Sequence, residues 1–221
     1  MAALSDTTVL VTGATGQVGW GIAHAATEAG AHVVLPSRSA TGADELAASF
    51  PEATVVHADV GTPDGAAAVV DAAVATGGLH HVVAPMGAWW QKGATLDQPP
   101  GELEDLLQTY VVAQLVLAQA ALPHLRATGG SYTVVTGAAG EHLLDGAGLL
   151  VVAVNAQYSL VRVLAAELAG GPARWNEVRI AARVERRPRP GVIPSIEAGR
   201  FFVEVMTGDD RGRTIRWPDL P

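Results

Sequence analysis

Residues 7–12 (TTVLVT), a β-branched run, lead straight into Gly13, Gly16 and Gly19 and then into a helical repeat of Val18, Ile22, Ala25 and Ala26. A strand that becomes a helix through spaced glycines commits the chain to a crossover unit, because a parallel neighbour can be reached only over such a connection. Gly30 ends the helix, and residues 32–35 (HVVL) supply the next strand. The alternation continues. Further strands are predicted at 54–58, 81–84, 132–136, 178–182 and 214–217. Helices are predicted over 18–29, from the Thr62-Pro63 capping pair onward, and over 102–125, 148–168 and 194–206. Short apolar strands between helices predict an α/β fold: one doubly wound domain over residues 1–221, its parallel sheet of about seven strands covered on both faces.

Composition narrows the function classes. A chain of 221 residues suits one such domain, and 49% hydrophobic against 16% charged residues excludes a disordered one. The formal charge of −8 argues against nucleic acid as a partner, since a phosphate-binding face is basic. Without cysteine there is no disulfide framework or thiol nucleophile, and no cluster has metal-ligand spacing, so no metal is expected. Residues 1–8 lack the basic-then-apolar pattern of a signal peptide. The most apolar stretch, 149–163, is interrupted by Asn155, Gln157 and Arg162, so no membrane span is expected and the expected setting is cytoplasmic. The only biased segment is 185–190 (ERRPRP).

The glycine spacing sits at a strand–turn–helix junction, where it has a specific use. Gly13 allows the tight turn, Gly16 lets backbone approach a pyrophosphate, and Gly19 lets helix and strand pack closely, while the N–H groups of Thr15, Gln17 and Val18 open the helix dipole toward the phosphates. At the end of the second strand, Ser37-Arg38-Ser39 places a guanidinium where a site selective for NAD has a carboxylate, so NADP(H) is the expected cofactor. Asp59, followed by Val60, reads either as an adenine contact or as an ordinary helix-capping residue. Ala84, Pro85 and Met86 at the end of the fourth strand complete the expected cofactor wall.

Together these segments resemble the short-chain dehydrogenase/reductase family over nearly the whole chain. Residues 78–87 (GLHHVVAPMG) take the place of the family's fourth strand and its Asn-Asn-Ala-Gly ending, of which only Gly87 survives. Residues 119–125 (QAALPHL) and 162–168 (RVLAAEL) resemble the ends of its fourth and fifth helices. The resemblance implies a Rossmann-type domain, a nicotinamide cofactor and an Asn-Ser-Tyr-Lys catalytic set. Counted from those anchors, the four positions fall on Tyr110, Gly137, Leu150 and Val154. The chain has one lysine, Lys92, and none follows Tyr110, Tyr132 or Tyr158 at the family's spacing. Tyr158 with Arg162 is no substitute: eight residues further along a helix is about 12 Å and about 80° away. Their expected role is a packing tyrosine and an arginine on the dimer-facing or solvent face.

Other residues then become candidates. Tyr110 is the phenol nearest the expected nicotinamide pocket, or else a bulky filler of the family's Asn position. Lys92 is the one ammonium able to lower its pKa, and His142 is the fallback acid or base. Trp89 and Trp90 suit a flat apolar substrate or pack on the domain or a partner subunit. Substrate-side elements are expected in 86–100, 138–147 and 185–200, with the family's covering lid short or absent. Apolar residues on more than one face of helices 102–125 and 148–168 (Leu115, Val116, Leu117 and residues 149–152) predict a homo-oligomer, dimer or tetramer, through those helices. The expected function is NADP(H)-dependent oxidation or reduction of a small carbonyl or alcohol with a non-standard proton donor. A non-redox or catalytically silent NADP-binding protein is the alternative.

Overall fold

The computed structural model describes residues 3–187 and 189–219. Its main sheet has seven strands, β1 (Thr8–Val11), β2 (His32–Ser37), β3 (Thr54–His57), β4 (His81–Pro85), β5 (Ser131–Gly137), β6 (Arg174–Ile180) and β9 (Thr214–Trp217), in the order β3-β2-β1-β4-β5-β6-β9. Every pairing is parallel. The chain builds outward from β1 to β3 and then returns to place β4 on the other side of β1. The two flanking connections part at that point, and a crevice opens above the carboxyl ends of β1 and β4.

The helices α1 (Gln17–Glu28), α2 (Ala40–Ser49), α3 (Pro63–Val74), α4 (Pro100–Leu107), α5 (Ala113–Thr128), α6 (Gly148–Glu167) and α7 (Ser195–Thr207) cover both faces. One face buries Val69, Leu117, Leu125 and Val161 against Leu10, Val82 and Val134. The other buries Ile22, Phe202 and Met206 against Val9, Val33 and Val178. At about 1.5–3 kcal/mol for each fully buried large side chain, these layers dominate the stability. A third cluster, with Trp90, Leu106, Tyr110, Leu150, Val154 and Tyr158, closes the carboxyl edge between α4 and α6. By length and composition alone, 100–128 and Gly148–Glu167 are apolar enough to cross a bilayer, a property that core helices share. Here both pack on the sheet.

Several boundaries differ from expectation for identifiable reasons. Strand β6 begins four residues early, because its polar residues are buried with partners. Arg174 donates to the carbonyls of Met206 (2.7 Å) and Gly208, and Asn176 donates to that of Asp210 (2.8 Å). Helix α2 has no strong apolar repeat and buries only Gly42 and Leu46, so its pattern is faint; Ser39 caps it by accepting from the Gly42 N–H (3.1 Å). The expected helix 102–125 is two helices joined by a π-turn, Gln108–Val112, which carries Tyr110. In the segment expected to be a vestigial lid, β7 (Val184–Glu185) pairs with β8 (Ile193–Pro194). Pro188, inside the 185–190 segment, lies outside the described residues.

Candidate nucleotide cleft

The turn between β1 and α1 is built on contacts only glycine permits. Gly13 has φ of +58°, and a Cβ there would meet the Pro85 carbonyl oxygen; one on Gly19 would meet that of Gly13. The Gly16 N–H closes the turn on the Gly13 carbonyl at 2.8 Å. Gly16 caps α1 with no side chain, so the first-turn N–H groups are left for a ligand. Above them lies a cleft of about 1000 Å³. All the expected cofactor residues line it except Ala84, which is fully buried in the core with its carbonyl accepting from Gln114 Nε2 (3.1 Å).

At the end of the cleft beside β2, exposed Arg38 stands next to Ser37 and Ser39. The Ser37 hydroxyl donates to the Ser39 carbonyl (2.9 Å), which ties the strand end to the start of α2. Asp59 lines the cleft but accepts the Gly61 N–H at 2.8 Å, just before Thr62 caps α3. One of its oxygens therefore serves the local turn.

The inner end gathers only some of the catalytic candidates. Tyr110, Trp89 and Trp90 line the cleft; Lys92 and His142 are not among its lining residues. The Tyr110 hydroxyl donates to the Ala88 carbonyl at 2.6 Å, and burial pushes the phenol up to about 12. Lys92 bonds instead to both oxygens of Glu102 (2.6 and 2.7 Å). Glu102 also accepts from Trp90 Nε1 at 2.8 Å, and these donors hold its carboxyl below the usual range. His142 is exposed. Trp89 is 66% exposed, whereas Trp90 is buried under α4.

Leu150 and Val154 are both buried in the apolar cluster around Tyr110. Tyr158 is buried as well, as a packing tyrosine, while Arg162 is exposed. The Tyr158 hydroxyl donates to the Gly137 carbonyl (2.5 Å), and Arg179, not Arg162, stacks on its ring at 3.7 Å. Arg179 in turn joins Glu177 and Glu141, each at 3.0 Å.

Three polar groups at the cleft were not expected from sequence. Gln157 is fully buried, lines the cleft, and neither its Oε1 nor its Nε2 has a partner; Thr12 Oγ1 is likewise buried and unpaired. Thr136 lines the cleft with its hydroxyl donated to buried Glu177 (2.6 Å). A signal for Gln157 existed: it falls between Val154 and Val161 at helical spacing, on the face that goes inward.

The profile of the enoyl-(acyl carrier protein) reductase family matches residues 13–182. Dehydrogenase/reductase SDR family member 4 of Bos taurus is 29% identical over 181 residues, 78% of this chain and 64% of that protein. The cis-2,3-dihydrobiphenyl-2,3-diol dehydrogenase of Rhodococcus globerulus is 32% identical over 171 residues, 75% of this chain and 61% of that one. The chain thus spans under two thirds of the length of these relatives. A solved short-chain type dehydrogenase/reductase from Mycobacterium marinum superposes with a TM-score of 0.83 at 23% identity, over 96% of this chain and 94% of the other.

Proposed function

This chain belongs to the short-chain dehydrogenase/reductase superfamily, and we propose that its cleft binds NADP(H) for oxidoreduction of a small carbonyl or alcohol with a non-standard proton donor. The observation that carries this reading is the continuity of the cleft from the glycine turn and Arg38 to Tyr110 and the tryptophans. The residues fit such a cofactor: the turn excludes a Cβ at Gly13 and Gly19, the first-turn N–H groups of α1 are free, and Thr12 Oγ1 is buried and unpaired. Bound there, the nicotinamide would supply or accept hydride.

The chain's own residues do the rest. Arg38 meets the 2′-phosphate, and Trp89 and Trp90 wall an apolar substrate. Tyr110 holds a proton that burial keeps on its oxygen well beyond neutral pH. To donate it, the hydroxyl exchanges the Ala88 carbonyl for a substrate oxygen. That commitment to Ala88, with Leu150 and Val154 buried in apolar surroundings, favours a second reading: an NADP-binding protein that transfers no hydride.

NADPH consumption against a panel of aldehydes and ketones separates the two. Turnover that Tyr110→Phe lowers by about 10²–10⁴, with NADPH affinity unchanged, is the outcome expected of the first reading. Tight NADPH binding without oxidation on any carbonyl selects the second.

A further inference from the structure

Arg186, from the Pro/Arg segment, does not point to solvent. Its guanidinium lies against the glycine turn, donating to the carbonyls of Ala14 (3.4 Å), Thr15 and Gly16 (3.4 Å). Its backbone N–H donates to Gln17 Oε1 (2.7 Å), its Nη1 pairs with Glu45 on α2 (2.8 Å), and it lies 5.5 Å from the Trp20 ring. The β7–β8 ladder fixes the strand from which it departs.

We propose that Arg186 is a positioning residue that holds the turn in its diphosphate-binding form. The inference rests on the nucleotide reading of the cleft, though not on hydride transfer. In a planar trans peptide the C=O and N–H point in opposite directions. With three successive carbonyls drawn toward one guanidinium, the following N–H groups, those of Thr15, Gly16 and Gln17, are turned the other way. Gly16 spends its N–H on the Gly13 carbonyl. The N–H groups of Thr15 and Gln17, on residues that line the cleft, remain for an anion. Glu45 offsets the charge of Arg186, so its effect is exerted mainly through the geometry of the turn. A purely packing role is a poor account of a part-buried cation whose Nε is buried without a partner. The ligand class is any nucleotide with a 5′-diphosphate, because the oriented N–H groups recognise that group and not the base, nicotinamide or 2′-phosphate.

The test is calorimetric titration of the full chain with NADP⁺, NAD⁺ and ADP-ribose. In Arg186→Ala all three dissociation constants rise at least about tenfold, by a common factor, with stoichiometry unchanged and the NADP⁺/NAD⁺ ratio preserved. Arg186→Lys, which can still donate to the carbonyls, recovers part of the loss. If Arg186→Ala does not fold, Arg186→Gln takes its place, and amide exchange at residues 15–18 in the ligand-free state is expected to be faster than in the parent. Unchanged dissociation constants, a loss confined to NADP⁺, or reduced stoichiometry at unchanged affinity overturns the proposal. If the parent chain binds none of the three ligands, both this inference and the nucleotide reading fall. If it binds them but oxidises no NADPH, only the redox reading falls.

Discussion

Arg38 is exposed at the end of β2 and, unlike Arg186, is free to meet a ligand from solvent. A charge-assisted contact to a phosphate is worth ~1.5–3 kcal/mol, so NADPH should bind more than tenfold tighter than NADH. Arg38→Ala should erase most of that preference while leaving NADH affinity nearly unchanged; equal affinities in the parent protein count against the role. Tyr110 makes a different demand. A phenol at about 12 stays protonated through neutrality, so turnover that uses it as acid should be level from pH 6 to 10 and fall only as the phenol ionises. An alkaline limb near pH 8 points to another donor. That the glycines, Arg38, Tyr110 and the tryptophans would line one cleft was legible because each residue type is unusual at its place in the pattern. The partners of Tyr110 and Lys92 were not legible. Whether a hydroxyl meets a carbonyl two elements away, or an ammonium a nearer carboxylate, depends on loop conformation that no periodicity encodes.

The strands were legible wherever their residues are apolar, and misjudged where buried polar groups answer one another across elements. The first half of β6 looks like a loop in sequence and belongs to a strand second from the edge of the sheet. At the foot of the sheet, His81 on β4 is paired with Ser131 on β5 at 2.8 Å. Burial, reinforced by Arg174 and His80, lowers its pKa to about 4. The folded chain therefore holds this imidazole neutral, whereas the unfolded chain protonates it below about 6.5. Stability should decline as pH falls from about 6.5 and level off below about 4, by ~3 kcal/mol from this group alone. Denaturant titrations of the parent and His81→Asn measure it: the acid-induced loss should shrink by that amount in the variant. An identical pH dependence in both would remove His81 as the cause.

For the whole molecule, a parallel sheet of about seven strands followed from strand–helix alternation, whereas the order of those strands did not. Val112, Val152 and Val163, on the π-turn and α6, are 40%, 49% and 52% exposed in the single chain. We expect them to be covered in at least a dimer, and light scattering at micromolar concentration should give no less than twice the chain mass. A monomeric mass counts against that assembly.

At the opposite side, α1 and α7 approach so closely that a Cβ on Gly21 would strike the Ser195 carbonyl oxygen, and one on Gly199 the Gly21 carbonyl oxygen. Arg186 reaches Gln17 across 169 positions of sequence. The glycine turn is thus synthesised well before the groups that brace it. At about 5–20 residues per second, a ribosome leaves that turn without its braces for roughly ten seconds or more. During translation the nascent chain should hold nucleotide only weakly until Arg186 and α7 have emerged, so cofactor should favour the braced fold over its precursors.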